Sequence, residues 1–338
     1  MPEETLKLTE GIKRKFQAWW QGSESPLLDD LTGYKNKLSL WWNGGVSSSS
    51  GQGAAHPSQA RARSVKAPPR QHQEIHARGR ISQALWGEGN LTPGPADFIT
   101  GLTARLGLTP EMSLLDMGAG LGGPARAMCA AYGVWVTAYE AVPNHIKAGM
   151  EQSIMHGMGK KVPFTQFDPE TVELPKRKFD CIFSKEMMHH VRSKKRLIAE
   201  IEGALKPRGQ FILINYVTAQ NGANSPGVVK WNEADGQESS FWSKEEYVAA
   251  FSEAKLDLRV TENLTEQYIA FIANGFRGLK KNMEKLIADE SSPEYQAELR
   301  RALAFETNRW AVRSEALQAG DMSVIRFSGF NPLQPEIR

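Results

Sequence analysis

The chain has 338 residues, 41% of them hydrophobic, and a formal net charge of +3. This allows one or two domains with a sizeable core, and the charge is too slight to argue for nucleic acid by itself. No apolar run reaches the ~20 residues that span a bilayer, and Met-Pro-Glu-Glu-Thr at the start has no secretory pattern, so a cytoplasmic protein is expected.

In chain order, residues 1–45 are basic and rich in tryptophan. They hold a short repeat: Ile12-Lys-Arg-Lys-Phe-Gln-Ala-Trp-Trp-Gln-Gly22 matches Tyr34-Lys-Asn-Lys-Leu-Ser-Leu-Trp-Trp-Asn-Gly44. On a helix Ile12, Phe16 and Trp19/Trp20 share one side. Such a helix either packs on the remainder of the protein or a partner subunit, or lies peripherally at the inner face of a membrane; packing is the expectation. Residues 46–70 are a Ser/Gly/Pro/Arg stretch, expected to be a disordered linker. Residues 71–338 are expected to form the main domain. His72 and His76 are four apart, but their polar setting points to a solvated helix, and no metal site is expected.

Next comes Leu85-Trp-Gly-Glu-Gly-Asn-Leu-Thr-Pro-Gly94. The most informative stretch follows, Ser113-Leu-Leu-Asp-Met-Gly-Ala-Gly-Leu-Gly-Gly123. An apolar strand ends in Asp116, breaks into glycines and runs into a helix from Pro124. Glycines allow positive φ and close backbone approach, and a helix start offers free N–H groups to an anionic or polar ligand. This is a nucleotide-cofactor loop. Gly118, Gly120 and Gly123 fit G-x-G-x-x-G; Gly118, Gly120 and Gly122 fit G-x-G-x-G.

A second strand, Val134–Tyr139, ends in Glu140, 22 residues after Gly118, where a carboxylate can accept from both ribose hydroxyls. A third, Val162–Phe167, ends in Asp168. A fourth, Phe179–Phe183, leads into Ser184-Lys-Glu-Met-Met-His-His190. Lys194-Lys-Arg196 is expected on an exposed helix face, followed by the amphipathic Leu197–Leu205, a Lys206-Pro-Arg-Gly209 turn and a fifth strand from Gln210 to Asn215. Ser243 is an expected N-cap, with Tyr247, Val248 and Phe251 on the apolar face behind it. Leu256–Val260 is the sixth strand and Asp321–Phe327 an antiparallel seventh. Helical patterns between them, about 266–317, form an insertion of the kind that covers ligands beyond the strands' carboxyl ends. Cys129 and Cys181 are expected as small buried hydrophobes.

This order resembles the class I S-adenosylmethionine (SAM)-dependent methyltransferases, which carry a G-x-G-x-G loop and an L-K-P-x-G turn before the fifth strand. The resemblance implies an α/β, Rossmann-like seven-stranded, mostly parallel sheet with helices on both faces, and SAM as cofactor. It also implies a cofactor set of Asp116, Gly118, Gly120, Gly122, Glu140, Asp168 (toward adenine) and Ser184. The 179–191 segment and Gly122-Gly-Pro-Ala-Arg126 resemble the phosphoethanolamine and sterol methyltransferases. That likeness implies a catalytic histidine at His190 with His189 beside it, and places Trp86 and Glu88 near the methyl donor. Where phosphoethanolamine enzymes have a catalytic tyrosine, this chain has Gly89-Asn90-Leu91, which leaves a small-molecule or lipid acceptor with the methylated atom open. The implied protein is a monomer or homodimer that binds no nucleic acid. An NAD-dependent oxidoreductase and a non-catalytic SAM-binding regulator are the alternatives.

Overall fold

The computed structural model describes residues 70–219, 222–236, 239–277 and 279–332. The Trp-rich repeat and the Ser/Gly stretch up to residue 69 lie outside the described residues. The elements run α1 (Arg70–Trp86), α2 (Ala96–Thr103), β1 (Ser113–Met117), α3 (Gly123–Tyr132), β2 (Trp135–Glu140), α4 (Pro143–Met155), β3 (Phe164–Gln166) and β4 (Phe179–Lys185). Then come α5 (Lys194–Ala204), β5 (Leu205–Thr218), α6 (Pro226–Asp235), α7 (Lys244–Glu253) and β6 (Asp257–Asn263). Finally α8 (Thr265–Arg277), α9 (Leu279–Ala288) and α10 (Pro293–Ala319) precede β7 (Met322–Phe330).

The strands form one sheet in the order β3-β2-β1-β4-β5-β7-β6. β1 to β5 are parallel, and β7 runs antiparallel between β5 and β6. A parallel sheet covered on both faces needs apolar residues in both directions along its strands. Leu114, Phe183, Ile212, Ile214 and Tyr216 face one core, with α1, α3 and the α8–α10 insertion. Their strand neighbours Leu115, Met117, Ile182, Leu213 and Val217 face the other, with α5 and α7. Period-two alternation sends successive side chains to opposite layers.

Local chemistry sets the element ends. Ser243 and Glu246 form a reciprocal capping box at α7, as the sequence suggests, with Tyr247 and Phe251 fully buried behind it. Val248 is instead 39% exposed, because it falls outside the stripe that Tyr247 and Phe251 present to the sheet. The Lys206–Gly209 turn is absorbed into β5 as an irregularity: the β4 register jumps from Phe179↔Leu205 to Cys181↔Gln210. Cys129 and Cys181 are both buried thiols.

The insertion is fastened by a chain of buried charges. Asp235 on α6 accepts from Arg313 at 2.6 Å, Arg309 at 3.0 Å and Trp231 Nε1 at 3.0 Å. Arg309 continues to Glu306 at 3.3 Å, and Glu306 reaches Arg78 on α1 at 2.9 Å. Asp235 and Arg313 are almost wholly excluded from solvent, so removing one leaves the other uncompensated. Asp235→Ala is expected to destabilise the protein by about 3–5 kcal/mol in urea or guanidinium denaturation, whereas a loss within 1 kcal/mol of zero would mean that solvent already screens the pair.

Candidate cofactor and acceptor site

β1 ends at Met117, and the chain reverses through Gly118 (φ 77°) and Gly122 (φ 80°) before α3 begins at Gly123. Both φ values lie in the left-handed region that glycine tolerates. A side chain at Gly118 would also stand 2.6 Å from Met187. The N–H groups of Gly118 and Ala119 both donate to the Tyr139 carbonyl, binding the loop to the end of β2. Glu140 closes this corner. Its carboxylate accepts from Gly120 N at 2.8 Å and Val142 N at 3.0 Å, with His145 Nδ1 3.5 Å away. Burial works to raise the Glu140 pKa, but His145 and the two backbone donors outweigh it and hold the carboxyl below its ordinary value.

Asp116 is the counterpart on β1. It is buried, and its Oδ2 has no hydrogen-bond partner among the described residues. Burial, then the nearby Glu140 charge, pushes its pKa up to about 7, against a smaller opposing effect of Lys185. An unsatisfied buried oxygen beside a glycine-built cavity suits a ligand that brings a donor or a positive charge. Glu140 keeps acceptor capacity beyond its present partners, since an ionised carboxylate offers about four lone-pair sites. These residues fit SAM, which carries a ribose diol and a cationic end.

A strap formed by residues 87–95 lies over this loop. Gly123 N donates to the Gly89 carbonyl at 2.9 Å, and a side chain at Gly120 would stand 3.2 Å from Leu91. Arg126, nearly buried, holds the Leu121 carbonyl at 2.8 Å and Gln152 at 2.6 Å.

The sequence-derived site residues divide. Asp116, Gly118, Gly120, Gly122 and Glu140 come together at the carboxyl ends of β1 and β2. Asp168 lies just beyond β3 and is exposed, its oxygens accepting from Glu170 N and Thr171 Oγ1 at 2.9 Å each. The other three take these places. Ser184 is fully buried and its hydroxyl donates to the Met117 carbonyl at 2.8 Å, so it ties β4 to β1. Trp86 is buried against Trp310 at 4.9 Å and Phe276 at 6.1 Å, inside the core of the insertion. Glu88 is exposed and bonds His156 Nε2 at 3.1 Å.

The histidines stand at the short 3-10 turn after β4. His189 is buried, stacked on Phe241 at 5.6 Å and edge-on to Tyr216 at 5.5 Å, with neither ring nitrogen bonded among the described residues. His190 is partly exposed and lies against it, ring centroids 3.9 Å apart. Burial lowers the pKa of both, and Arg313 and Arg309 add to this; at His190, where Asp235 and Glu140 oppose it, the value falls to about 4. Both rings are therefore neutral at pH 7.

Sequence reasoning passed over Lys185 and Glu186, although a Lys-Glu pair directly after an apolar strand is a visible signal. Glu186 adopts φ 57°, unusual for a non-glycine residue. Its buried carboxylate accepts from Lys185 Nζ at 2.6 Å, Tyr216 Oη at 2.8 Å and Tyr268 Oη at 3.0 Å. Lys194, expected on an exposed face, is instead fully buried; its ammonium holds the Val191 and Ser240 carbonyls, closing the 239–242 segment over the histidine turn. His76, on α1, is hydrogen-bonded to Tyr295.

The fold is that of class I methyltransferases. Residues 94–261 match the family model described as a methyltransferase domain, and the chain carries a domain of that class. It is similar to phosphoethanolamine N-methyltransferase 1 of Zea mays, 25% identical over 68% of this chain and 46% of that protein. It is also similar to sterol 24-C-methyltransferase of Eremothecium gossypii, 31% identical over 36% of this chain and 32% of that one. Among solved structures, Haemonchus contortus phosphoethanolamine N-methyltransferase 2, in complex with phosphomonomethylethanolamine and S-adenosylhomocysteine, superposes with a TM-score of 0.66. That match covers 78% of this chain and 59% of that one at 18% identity. The chain spans about half the length of the phosphoethanolamine relatives it matches.

The Asp116 environment is directly measurable. Carbon-13 NMR of the ligand-free protein should show the Asp116 carboxyl titrating near pH 7. Glu140→Gln removes a neighbouring negative charge and should lower that midpoint; Lys185→Met removes a positive one and should raise it. A midpoint near 3.8 would show the group to be solvated.

Proposed function

We propose that this chain is a SAM-dependent methyltransferase acting on a small-molecule or lipid acceptor. The observation that carries the proposal is the pairing of the glycine turn after β1 with the buried Glu140 at the end of β2, beside an Asp116 oxygen that has no donor among the described residues. SAM, when bound, supplies an electrophilic methyl group. The chain's own residues bind, orient and exclude water. Glu140 accepts from the ribose hydroxyls, Asp116 receives the cationic end, and Asp168 offers an acceptor toward the adenine edge. The strap shields the loop from solvent, as methyl transfer between aligned groups requires.

His190, at the carboxyl end of β4 and partly exposed, is the candidate base; His189, with its ring stacked on Phe241, positions it. A base held near pH 4 is weak but wholly unprotonated at neutral pH. It suits a proton that becomes strongly acidic only as the methyl group arrives, such as one on an alkylated oxygen. The low basicity argues against direct deprotonation of an unactivated hydroxyl. A cytoplasmic location, with the strap and insertion enclosing the acceptor, accords with this role.

Two measurements test the assignment. Glu140→Ala removes charge-assisted hydrogen bonds of roughly 1.5–3 kcal/mol each and should weaken SAM binding about tenfold or more in calorimetry; unchanged affinity would sink the cofactor assignment. His190→Ala should lower turnover by roughly 10²–10⁴-fold with SAM still bound. With SAM saturating throughout, so that protonation of ligand-free Asp116 near pH 7 does not limit binding, the wild-type rate should stay level from pH 8 down to 5 and fall only as pH approaches about 4, where His190 takes up a proton. A limb near 6.5 would mean that the imidazole is solvated during turnover.

A further inference from the structure

The carboxyl end of β4 holds a buried ion pair to which two separate covers of the site are attached. One cover is the strap over the glycine loop. Its Thr92 hydroxyl accepts from Lys185 Nζ, and Gly94 lies against the Lys185 side chain. The other is α8, the first helix of the insertion. Its Tyr268 hydroxyl donates to Glu186 at 3.0 Å, next to Tyr216 of β5 at 2.8 Å. Lys185 and Glu186 are joined at 2.6 Å, with side chains 7% and 2% exposed. The left-handed backbone at Glu186 turns its carboxylate back to this junction. Such a conformation persists only where the surroundings enforce it. Phe98, on the helix that follows the strap, packs on Tyr268 at 6.2 Å and Phe271 at 5.0 Å, so the covers also touch through rings.

We propose that Lys185 and Glu186 are positioning residues that couple the cofactor-covering strap to helix α8, so that filling the cofactor site orders the acceptor wall. The proposal rests on the assignment of the glycine loop to SAM. A bound cofactor restrains the strap; Thr92 then holds the Lys185 ammonium, and the ammonium fixes the carboxylate on which Tyr268 depends. In a buried setting these links are strong, because neither charge can turn to water for a substitute partner. The acceptor then meets a wall already in place, which favours cofactor binding first.

Hydrogen exchange of the full chain, with and without saturating S-adenosylhomocysteine, tests this without knowledge of the acceptor. In the wild type the ligand should slow exchange about threefold or more in both 87–95 and 265–277. In Thr92→Val and in Tyr268→Phe, each lacking one hydroxyl, protection of 87–95 should persist and that of 265–277 should vanish. A purely structural role would lower stability in the variants without selectively removing the ligand-dependent change in α8. Equal α8 protection in the wild type and both variants would overturn the coupling, as would a wild type in which only the strap responds. Failure of the ligand to protect either segment would overturn the cofactor assignment, and the coupling with it. Glu186→Gln, which keeps shape and loses charge, should behave like Tyr268→Phe; if it does not fold, the two hydroxyl variants carry the test alone.

Discussion

Three carboxylates, Asp116, Glu140 and Glu186, are buried at or just beyond the carboxyl ends of the neighbouring strands β1, β2 and β4. Like charges at low dielectric repel strongly, so three ionised carboxylates without compensation could not share this end of the sheet. The protein meets the constraint differently at each. Glu140 is held ionised by His145 and two backbone N–H groups. Glu186 is held ionised by Lys185 and two tyrosine hydroxyls. Asp116 has only a weaker effect of Lys185 and no hydrogen bond to its Oδ2 among the described residues, and its pKa rises to about 7. The least compensated carboxyl is thus beside the glycine loop, where a cationic ligand would complete it.

The compensating groups also organise the covers. Tyr216 comes from β5 and Tyr268 from the insertion, so neutralising Glu186 draws a remote helix onto the strand ends. A second set of charges fastens the far side of the insertion, through Asp235, Arg309, Arg313, Glu306 and Arg78. Arg313 lies 4.5 Å from the Trp231 ring centroid and 4.8 Å from that of Trp310. Trp231 in turn meets Phe241 at 5.5 Å, the ring on which His189 is stacked. The arginines that secure α10 therefore also contribute to the field that keeps the histidines neutral. Buried ion pairs of this kind give modest net stability; here they tie α1, α6 and α10 together.

Much of the sheet was legible in the chain itself. The apolar runs ending in Asp116, Glu140 and the 184–190 segment, the glycines after β1, and the alternation in β6 and β7 are signals whose physics is local. Backbone sterics, strand periodicity and capping act within a few residues, so Gly118, Gly122 and Ser243 announce their roles without the rest of the protein. The insertion was legible too, because helical periodicity between the last two strands survives whatever it packs upon.

What only the tertiary structure decided is the division of labour among polar residues. Nothing within Ser184-Lys-Glu says that the serine ties β4 to β1 while the lysine and glutamate join two covers; Thr92 and Tyr268 lie far from them along the chain. The same holds for Trp86, absorbed by Trp310 and Phe276, and for Lys194, whose burial depends on carbonyls contributed by a later segment. A charge or hydroxyl takes its role from the partners that desolvation forces it to find. Those partners are chosen by the fold, whereas turns, strand periods and caps are specified by the residues that form them.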